Sequence, residues 1–212
     1  MKTASLTALI TLLEKSTLTN WESHRKMAPA MRLQFTEDMI AKKKPRDAAV
    51  LVLLYPNKEN EICILLTKRA SYNGTHSGQI SFPGGKKESQ DKDLLETAIR
   101  EAKEEIGIHP AKIKAIKALS KTYIPPSNFW VYPFLAYAEE TPSFKNNYEV
   151  ETILEIPLKE LLETNNIFQK TITTSYMNDA NVPCFKLNNE IVWGATAMIL
   201  SELKDLILQP IK

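Results

Sequence analysis

The chain has 212 residues, of which 43% are apolar and 25% are charged. This balance excludes a disordered chain, and the length is sufficient for one domain with a sizeable buried core. Its 27 basic and 25 acidic residues give a formal net charge of +2, which supplies no electrostatic footprint for a nucleic-acid backbone, so no nucleic-acid partner is expected.

The first 45 residues predict a helical arm. An amphipathic helix is expected over about 3–16, with apolar residues at the spacing of one helix face: Leu6, Leu9, Ile10 and Leu13. Pro45 ends the arm, so we assign 1–45 to the arm and 46–212 to the domain on which it packs. The apolar stretch lacks a small-x-small cleavage site and no run approaches the length of a membrane span. A cytoplasmic protein with no membrane partner is therefore expected.

Two apolar segments follow the arm and predict a β-hairpin. Residues 47–55 form a near-continuous apolar run that ends at Pro56, which is typical of a buried strand. Residues 61–67 form its antiparallel partner. A loop rich in Gly, Ser, Asn and Pro covers 70–85, with a short strand over 79–82. Loops of this length in compact domains are usually functional.

The clearest predicted helix covers 93–106, and Gly107 is its C-terminal stop. Further elements are expected in chain order: strands at 113–122, 129–138 and 151–156, a helix at 158–163, strands at 182–187 and 190–193, and a helix at about 195–208. This pattern predicts an α/β fold with helices outside a sheet. Cys63 and Cys184 lie in apolar segments and predict two buried free thiols rather than a disulfide.

The segment 100–108 (REAKEEIGI) carries the strongest chemical signal. Its carboxylates are three and four positions apart and share one helix face: Glu101, Glu104 and Glu105. Such groups repel one another unless a cation lies between them, and their hard oxygens suit Mg²⁺ or Mn²⁺. A solvated acidic face, partly neutralised by Arg100 and Lys103, is the alternative. The glycine turn before the helix, Gly84 and Gly85, favours a ligand site because its backbone can be approached closely.

Gly85 and the segment 100–108 resemble the two ends of the Nudix box, a glycine followed after a spacer by Arg-Glu-apolar-x-Glu-Glu-x-Gly-apolar. The resemblance implies a Nudix-type α/β/α sandwich with a mixed sheet between helices. It also implies that the protein is a Nudix hydrolase that cleaves a diphosphate bond with the help of a metal ion. The implied metal ligands are Glu101, Glu105 and, directly or through water, Glu104.

Two details of the box differ from the family pattern. The position eight residues before the arginine is usually a glutamate and here is Lys92, and the spacer from Gly85 is one residue longer than usual. By resemblance, Arg100 would orient the glutamates through an ion pair. Asp91 is the expected partner of Arg100 in place of the missing glutamate.

Residues 65–85 resemble the signature of coenzyme A diphosphatase-type Nudix enzymes: LLTKRA, then Gly78, then FPGG. The signature's second arginine is Gly74 here, which removes a bidentate phosphate contact and leaves the substrate open. His76 or Arg69 could compensate for it, although a lone loop histidine such as His76 is often incidental. The residues expected to bind substrate are Arg69, His76, Gly84 and Gly85.

A further carboxylate from a loop after the helix is expected as general base or extra ligand. Glu149 is the first candidate, ahead of Glu139, Glu140 and Glu151, and a plain exposed carboxylate is an equally good interpretation of Glu149. The favoured substrate is coenzyme A or acyl-coenzyme A. The alternatives are ADP-ribose or another nucleotide derivative, and a non-catalytic Nudix-fold binding module. The resemblance also allows a homodimer.

Overall fold

The structure is a computed structural model that describes residues 5–70, 78–174 and 176–210. Its helices are α1 (Leu6–Lys15), α2 (Trp21–His24), α3 (Glu37–Lys42), α4 (Leu94–Ile106), α5 (Leu158–Leu162) and α6 (Gly194–Leu208). Short 3-10 helices cover Ala30–Gln34 and Pro110–Lys112. Its strands are β1 (Arg46–Pro56), β2 (Ile62–Arg69), β3 (Ile80–Ser81), β4 (Gly84–Lys86), β5 (Lys114–Ala118), β6 (Thr122–Ile124), β7 (Phe129–Tyr137), β8 (Val150–Pro157), β9 (Ile167–Thr174), β10 (Met177–Leu187) and β11 (Glu190–Trp193).

Eight of these strands form one mixed sheet with the central order β3-β2-β1-β7-β5. In addition, β4 pairs with β1, β6 with β7, and β8 with β2. The pair β1–β7 is parallel, and Ala48 lies opposite Val131 in its register. The predicted hairpin is confirmed, because β1 and β2 are antiparallel with Leu54 opposite Ile64.

Strand β1 is buried on both faces of the sheet. Leu51 and Leu53 pack with α4 on one face, and Val52 and Leu54 pack with α1 and α6 on the other. Successive side chains of a strand point to opposite faces, so a central strand between two helix layers is apolar at nearly every position. The predicted α/β/α sandwich with a mixed sheet is confirmed.

The first segment of the chain packs on the α6 side of the sheet. Leu9, Leu13 and Met27 belong to the same core as the apolar residues of α6. The Ser201 hydroxyl in α6 donates a hydrogen bond of 2.9 Å to the backbone carbonyl of Ser23. The arm therefore shares a core with the rest of the chain, and a domain boundary at residue 45 stays a prediction.

Two regions differ from the expected elements. The predicted strand at 113–122 is two strands, β5 and β6, separated by a segment whose Ser120 N–H donates to the Glu202 carboxylate at 3.0 Å instead of to a neighbouring strand. Strand β9 was not predicted, and β10 begins at Met177 rather than at 182. The side chains of β9 are mostly exposed, so this strand carries no apolar run. With β11 it forms a separate three-stranded antiparallel sheet.

Both cysteines, Cys63 and Cys184, are buried free thiols, as predicted. Burial raises the pKa of Cys63 to about 12, so this thiol stays protonated and unreactive at neutral pH. Within the described part of the chain, every helix is too short or too polar to cross a membrane.

Candidate active site

Helix α4 has a defined start and end, which sets the positions of its glutamates. Asp93 caps the start, where its side chain accepts a hydrogen bond of 2.8 Å from the N–H of Glu96. Gly107 ends the helix in the left-handed conformation, with φ of 70°, and its N–H donates to the carbonyl of Lys103 at 3.0 Å. Fully buried side chains seat the helix on β1: Ala98, Ala102 and Ile106.

Glu105 is a buried carboxylate with few partners. It is 4% exposed, accepts a hydrogen bond of 3.1 Å from the N–H of Gly84, and lies 3.7 Å from Nη1 of Arg69. Burial raises the pKa of Glu105 to about 7. An ionised carboxylate can accept about four hydrogen bonds, so this group retains acceptor capacity that a cation could use.

The carboxylate of Glu101 packs directly against Gly85. A Cβ atom at Gly85 would lie 2.4 Å from Oε1 of Glu101, closer than real Cβ contacts allow. Burial raises the pKa of Glu101, although Nη1 of Arg100 donates to it at 2.9 Å. The missing side chain of Gly85 makes room for the glutamate, and a substrate contact of Gly85 stays a prediction.

Arg100 is clamped by Asp91, which confirms the pairing predicted for it. Nε of Arg100 donates to Oδ1 of Asp91 at 2.8 Å, and Nη2 donates to Oδ2 at 3.0 Å. The buried Asp91 also accepts hydrogen bonds from the Glu88 N–H and the Thr97 hydroxyl, each of 2.9 Å. These contacts, led by Arg100, hold the pKa of Asp91 well below its usual range. The bidentate geometry fixes the guanidinium beside Glu101.

Glu104 is the most exposed of the three helix glutamates. Its side chain is 55% exposed and lies 3.4 Å from Nη1 of Arg100. Among residues 5–70, 78–174 and 176–210, no three carboxylate, imidazole or thiol groups surround a common ion position. The helix carboxylates are paired with Arg100 and Arg69 instead. Their chemistry nevertheless fits a hard dication, because burial raises the pKa of two of them and a dication would offset that cost.

Glu149 lies on the loop that follows β7 and faces the same group of charges. The loop is tied to α4, because the N–H of Asn147 donates to the carbonyl of Glu105 at 3.0 Å. Oε2 of Glu149 is 3.8 Å from Nη2 of Arg69, which therefore bridges Glu105 and Glu149. The other candidates pair with lysines elsewhere: Glu139 with Lys114, Glu140 with Lys112 and Glu151 with Lys68.

A cleft of about 240 Å³, here called the glycine-turn cleft, opens beside Gly84 and Gly85. Three of the expected substrate-binding residues line it, namely Arg69, Gly84 and Gly85. Two further cations line it that the sequence did not single out, Arg32 and Lys86. Arg32 belongs to the irregular part of the arm, where no periodicity or motif marks a functional residue. His76 and the replaced arginine position Gly74 lie outside the described residues.

A model of the NUDIX domain matches residues 45–176. The relative named Nudix hydrolase 22, chloroplastic, of Arabidopsis thaliana is 32% identical over 174 residues, which cover 78% of this chain and 57% of that protein. The uncharacterized Nudix hydrolase NudL of Yersinia pestis (strain Pestoides F) is 34% identical over 159 residues, which cover 74% of this chain and 78% of the relative.

The chain thus spans 57% of the length of the plant relatives it matches, which include Nudix hydrolase 15, mitochondrial, of the same plant. The crystal structure of a MutT/nudix family protein from Enterococcus faecalis is similar with a TM-score of 0.51 and 16% identity. That similarity covers 96% of this chain and 75% of the other, and it concerns the fold alone.

Proposed function

This chain belongs to the NUDIX domain family, and we propose that it hydrolyses the diphosphate bond of a nucleotide derivative with the help of Mg²⁺ or Mn²⁺. One observation carries the proposal: a buried carboxylate, Glu105, whose pKa is raised to about 7, lies one helical turn from the half-buried Glu101. The adjacent glycine turn fits both, since Gly84 donates to Glu105 and Gly85 leaves room for Glu101. This arrangement supports a metal-assisted hydrolase rather than a solvated acidic face.

In this proposal Glu101, Glu104 and Glu105 hold the metal. The ion, when bound, neutralises the diphosphate and lowers the pKa of its bound water. Arg100 keeps the carboxylate of Glu101 in place, since its own position is fixed by the two hydrogen bonds that it donates to Asp91.

Glu149 is the proposed general base. It lies on a loop anchored to the same helix, and its side chain is 42% exposed, so a water molecule can reach it. Its contact with Arg69, at 3.8 Å, is long enough to leave both oxygens open to further hydrogen bonds. A general base must lie within reach of the proton that it removes, and the loop brings Glu149 to the carboxylates of α4.

The charge of the glycine-turn cleft suits an anionic substrate. Of the described residues that line it, Arg32, Arg69 and Lys86 are cationic and none is acidic. Such a cleft raises the local concentration of an anion. Coenzyme A or acyl-coenzyme A is the substrate that we place first, because of the signature over residues 65–85. ADP-ribose or another nucleotide derivative is the alternative, since Gly74 replaces one arginine of that signature.

The test is a substrate panel of coenzyme A, acyl-coenzyme A, ADP-ribose and dinucleoside polyphosphates with Mg²⁺ or Mn²⁺, with products identified by mass spectrometry. Coenzyme A should be cleaved at the diphosphate, and Glu101→Gln and Glu105→Gln should each lose about 100-fold or more in kcat. Glu59→Gln is the matched control, because Glu59 is exposed in the β1–β2 turn. If the protein cleaves ADP-ribose but not coenzyme A, the substrate assignment changes to ADP-ribose. No cleavage of any compound would favour a binding module. Homodimer formation and a cytoplasmic location stay predictions.

A further inference from the structure

Arg32 connects two clefts of the molecule. It lies in the 3-10 helix Ala30–Gln34 of the arm and lines the glycine-turn cleft together with Gly84 and Gly85. It also lines a second cleft of about 530 Å³ between the arm and the domain, here called the arm cleft. The arm cleft has aromatic walls: Trp21, Phe35, Tyr123 and Trp130. A ligand in the glycine-turn cleft that extends past Arg32 would therefore meet aromatic surface.

The guanidinium of Arg32 is a half-buried cation without a counter-charge. Its Nη1 donates to the backbone carbonyl of Tyr123 at 3.2 Å and contacts the sulfur of Met198 at 3.3 Å. No carboxylate of residues 5–70, 78–174 or 176–210 lies within ion-pair distance of it, whereas Arg69 already faces Glu105 and Glu149. Burial lowers the pKa of Arg32 to about 10, so the group is still charged at neutral pH. A buried charge that lacks a protein partner is costly unless a ligand pairs with it.

We propose that Arg32 binds a phosphate group of the substrate other than the scissile diphosphate, as in a nucleotide with a phosphate on the 3′ position of its ribose. The inference rests on the proposed function, since the scissile group must reach Glu101 and Glu105 and Arg32 contacts neither. The planar guanidinium can donate two parallel hydrogen bonds to two oxygens of one phosphate group. The aromatic walls of the arm cleft offer stacking surface for the attached base. The arm would thereby supply a guanidinium group in place of the arginine that the signature over residues 65–85 has at position 74, where this chain has Gly74.

Equilibrium binding tests the inference without hydrolysis. Metal-free protein would be titrated calorimetrically with adenosine 3′,5′-bisphosphate and with adenosine 5′-monophosphate. The wild type should prefer the bisphosphate by about 10-fold or more, the range expected for charge-assisted hydrogen bonds. Arg32→Gln should remove the preference and Arg32→Lys should retain part of it. Arg25→Gln, which removes an exposed arm charge outside both clefts, should keep it. Equal affinity in the wild type, or a preference kept in Arg32→Gln, would overturn the proposal.

Kinetics then separate a binding role from a structural one. With coenzyme A, Arg32→Gln should raise KM by about 10-fold with little change in kcat, while 3′-dephospho-coenzyme A should be cleaved equally by both proteins. An equal loss on both substrates would contradict the assignment, and melting curves would show whether it reflects misfolding. If the wild type cleaves neither substrate, the proposed function fails for coenzyme A, and the titrations still decide the role of Arg32.

Discussion

Gly85→Ala isolates the contact between the glycine turn and the first helix glutamate. The added Cβ would lie 2.4 Å from both Cδ and Oε1 of Glu101 and 2.6 Å from Oε2. Gly85 does not have the left-handed backbone that only glycine tolerates, so the contact alone is perturbed. Ordinary contacts of this type begin near 3.4 Å, which means that the carboxylate must move by about 1 Å.

A displacement of about 1 Å at a reacting centre costs about 100-fold in rate. We therefore expect kcat/KM of Gly85→Ala to fall by about two orders of magnitude. The free energy of unfolding should change by only about 1 kcal/mol, because the clashing atoms are the far end of a flexible side chain that can rotate away. Gly84→Ala would behave differently, since its Cβ would lie 2.3 Å from the backbone carbonyl oxygen of Ala49 and should impair folding.

A double-mutant cycle with Glu101→Gln provides the control. If Gly85 acts by making room for Glu101, adding Gly85→Ala to Glu101→Gln should cost little further activity, because the displaced group no longer functions. Steady-state kinetics of the four proteins, with melting curves for each, measure this coupling. A full 100-fold additional loss in the Glu101→Gln background would refute the reasoning and would mean that Gly85 contacts the substrate directly.

Three further predictions concern the charges around α4. Asp91→Asn should lower the free energy of unfolding by about 3 kcal/mol and reduce kcat, because it leaves Arg100 without its buried counter-charge; unchanged denaturation curves would contradict this. The pKa of Glu105 is raised to about 7 in the folded state. The protonated carboxyl therefore stabilises the fold below the pH at which an ordinary glutamate ionises, and this stabilisation is lost as the pH rises towards 7. Denaturation in EDTA should therefore show Glu105→Gln gaining stability over the wild type, by at most about 3 kcal/mol, between pH 5 and pH 8, and a constant difference would argue against the raised pKa. Glu149→Gln should lower kcat by about 100-fold or more with little change in KM, whereas normal kinetics would identify Glu149 as a plain surface carboxylate.

The central elements of the fold could be predicted because their signals are local. Residues 47–55 are apolar at almost every position, which is typical of a strand buried between two helix layers. The end of α4 at Gly107 follows from the left-handed backbone that glycine adopts. The pairing of Asp91 with Arg100 was also predictable, since the two lie in the same short stretch of chain around the start of the helix.

Other elements depend on contacts between distant segments. The break between β5 and β6 exists because Glu202, more than 80 positions away in the chain, accepts the N–H of Ser120. The strands β9 and β10 pair through their backbones while most side chains of β9 remain exposed, so hydrophobic periodicity carries little information about them. A one-dimensional pattern cannot report a hydrogen bond whose partner lies in another element.

The candidate site also has some features that the sequence predicts and others that only tertiary packing determines. Helix periodicity alone placed Glu101, Glu104 and Glu105 on one face of α4. Tertiary packing decided that Glu105 is buried with a raised pKa while Glu104 stays exposed, because the glycine turn and Arg69 come from other parts of the chain. Tertiary packing also places Arg32 of the arm at the glycine-turn cleft. The spacing of charges along a helix is a property of the chain, whereas their solvation and pairing depend on whatever the fold packs against them.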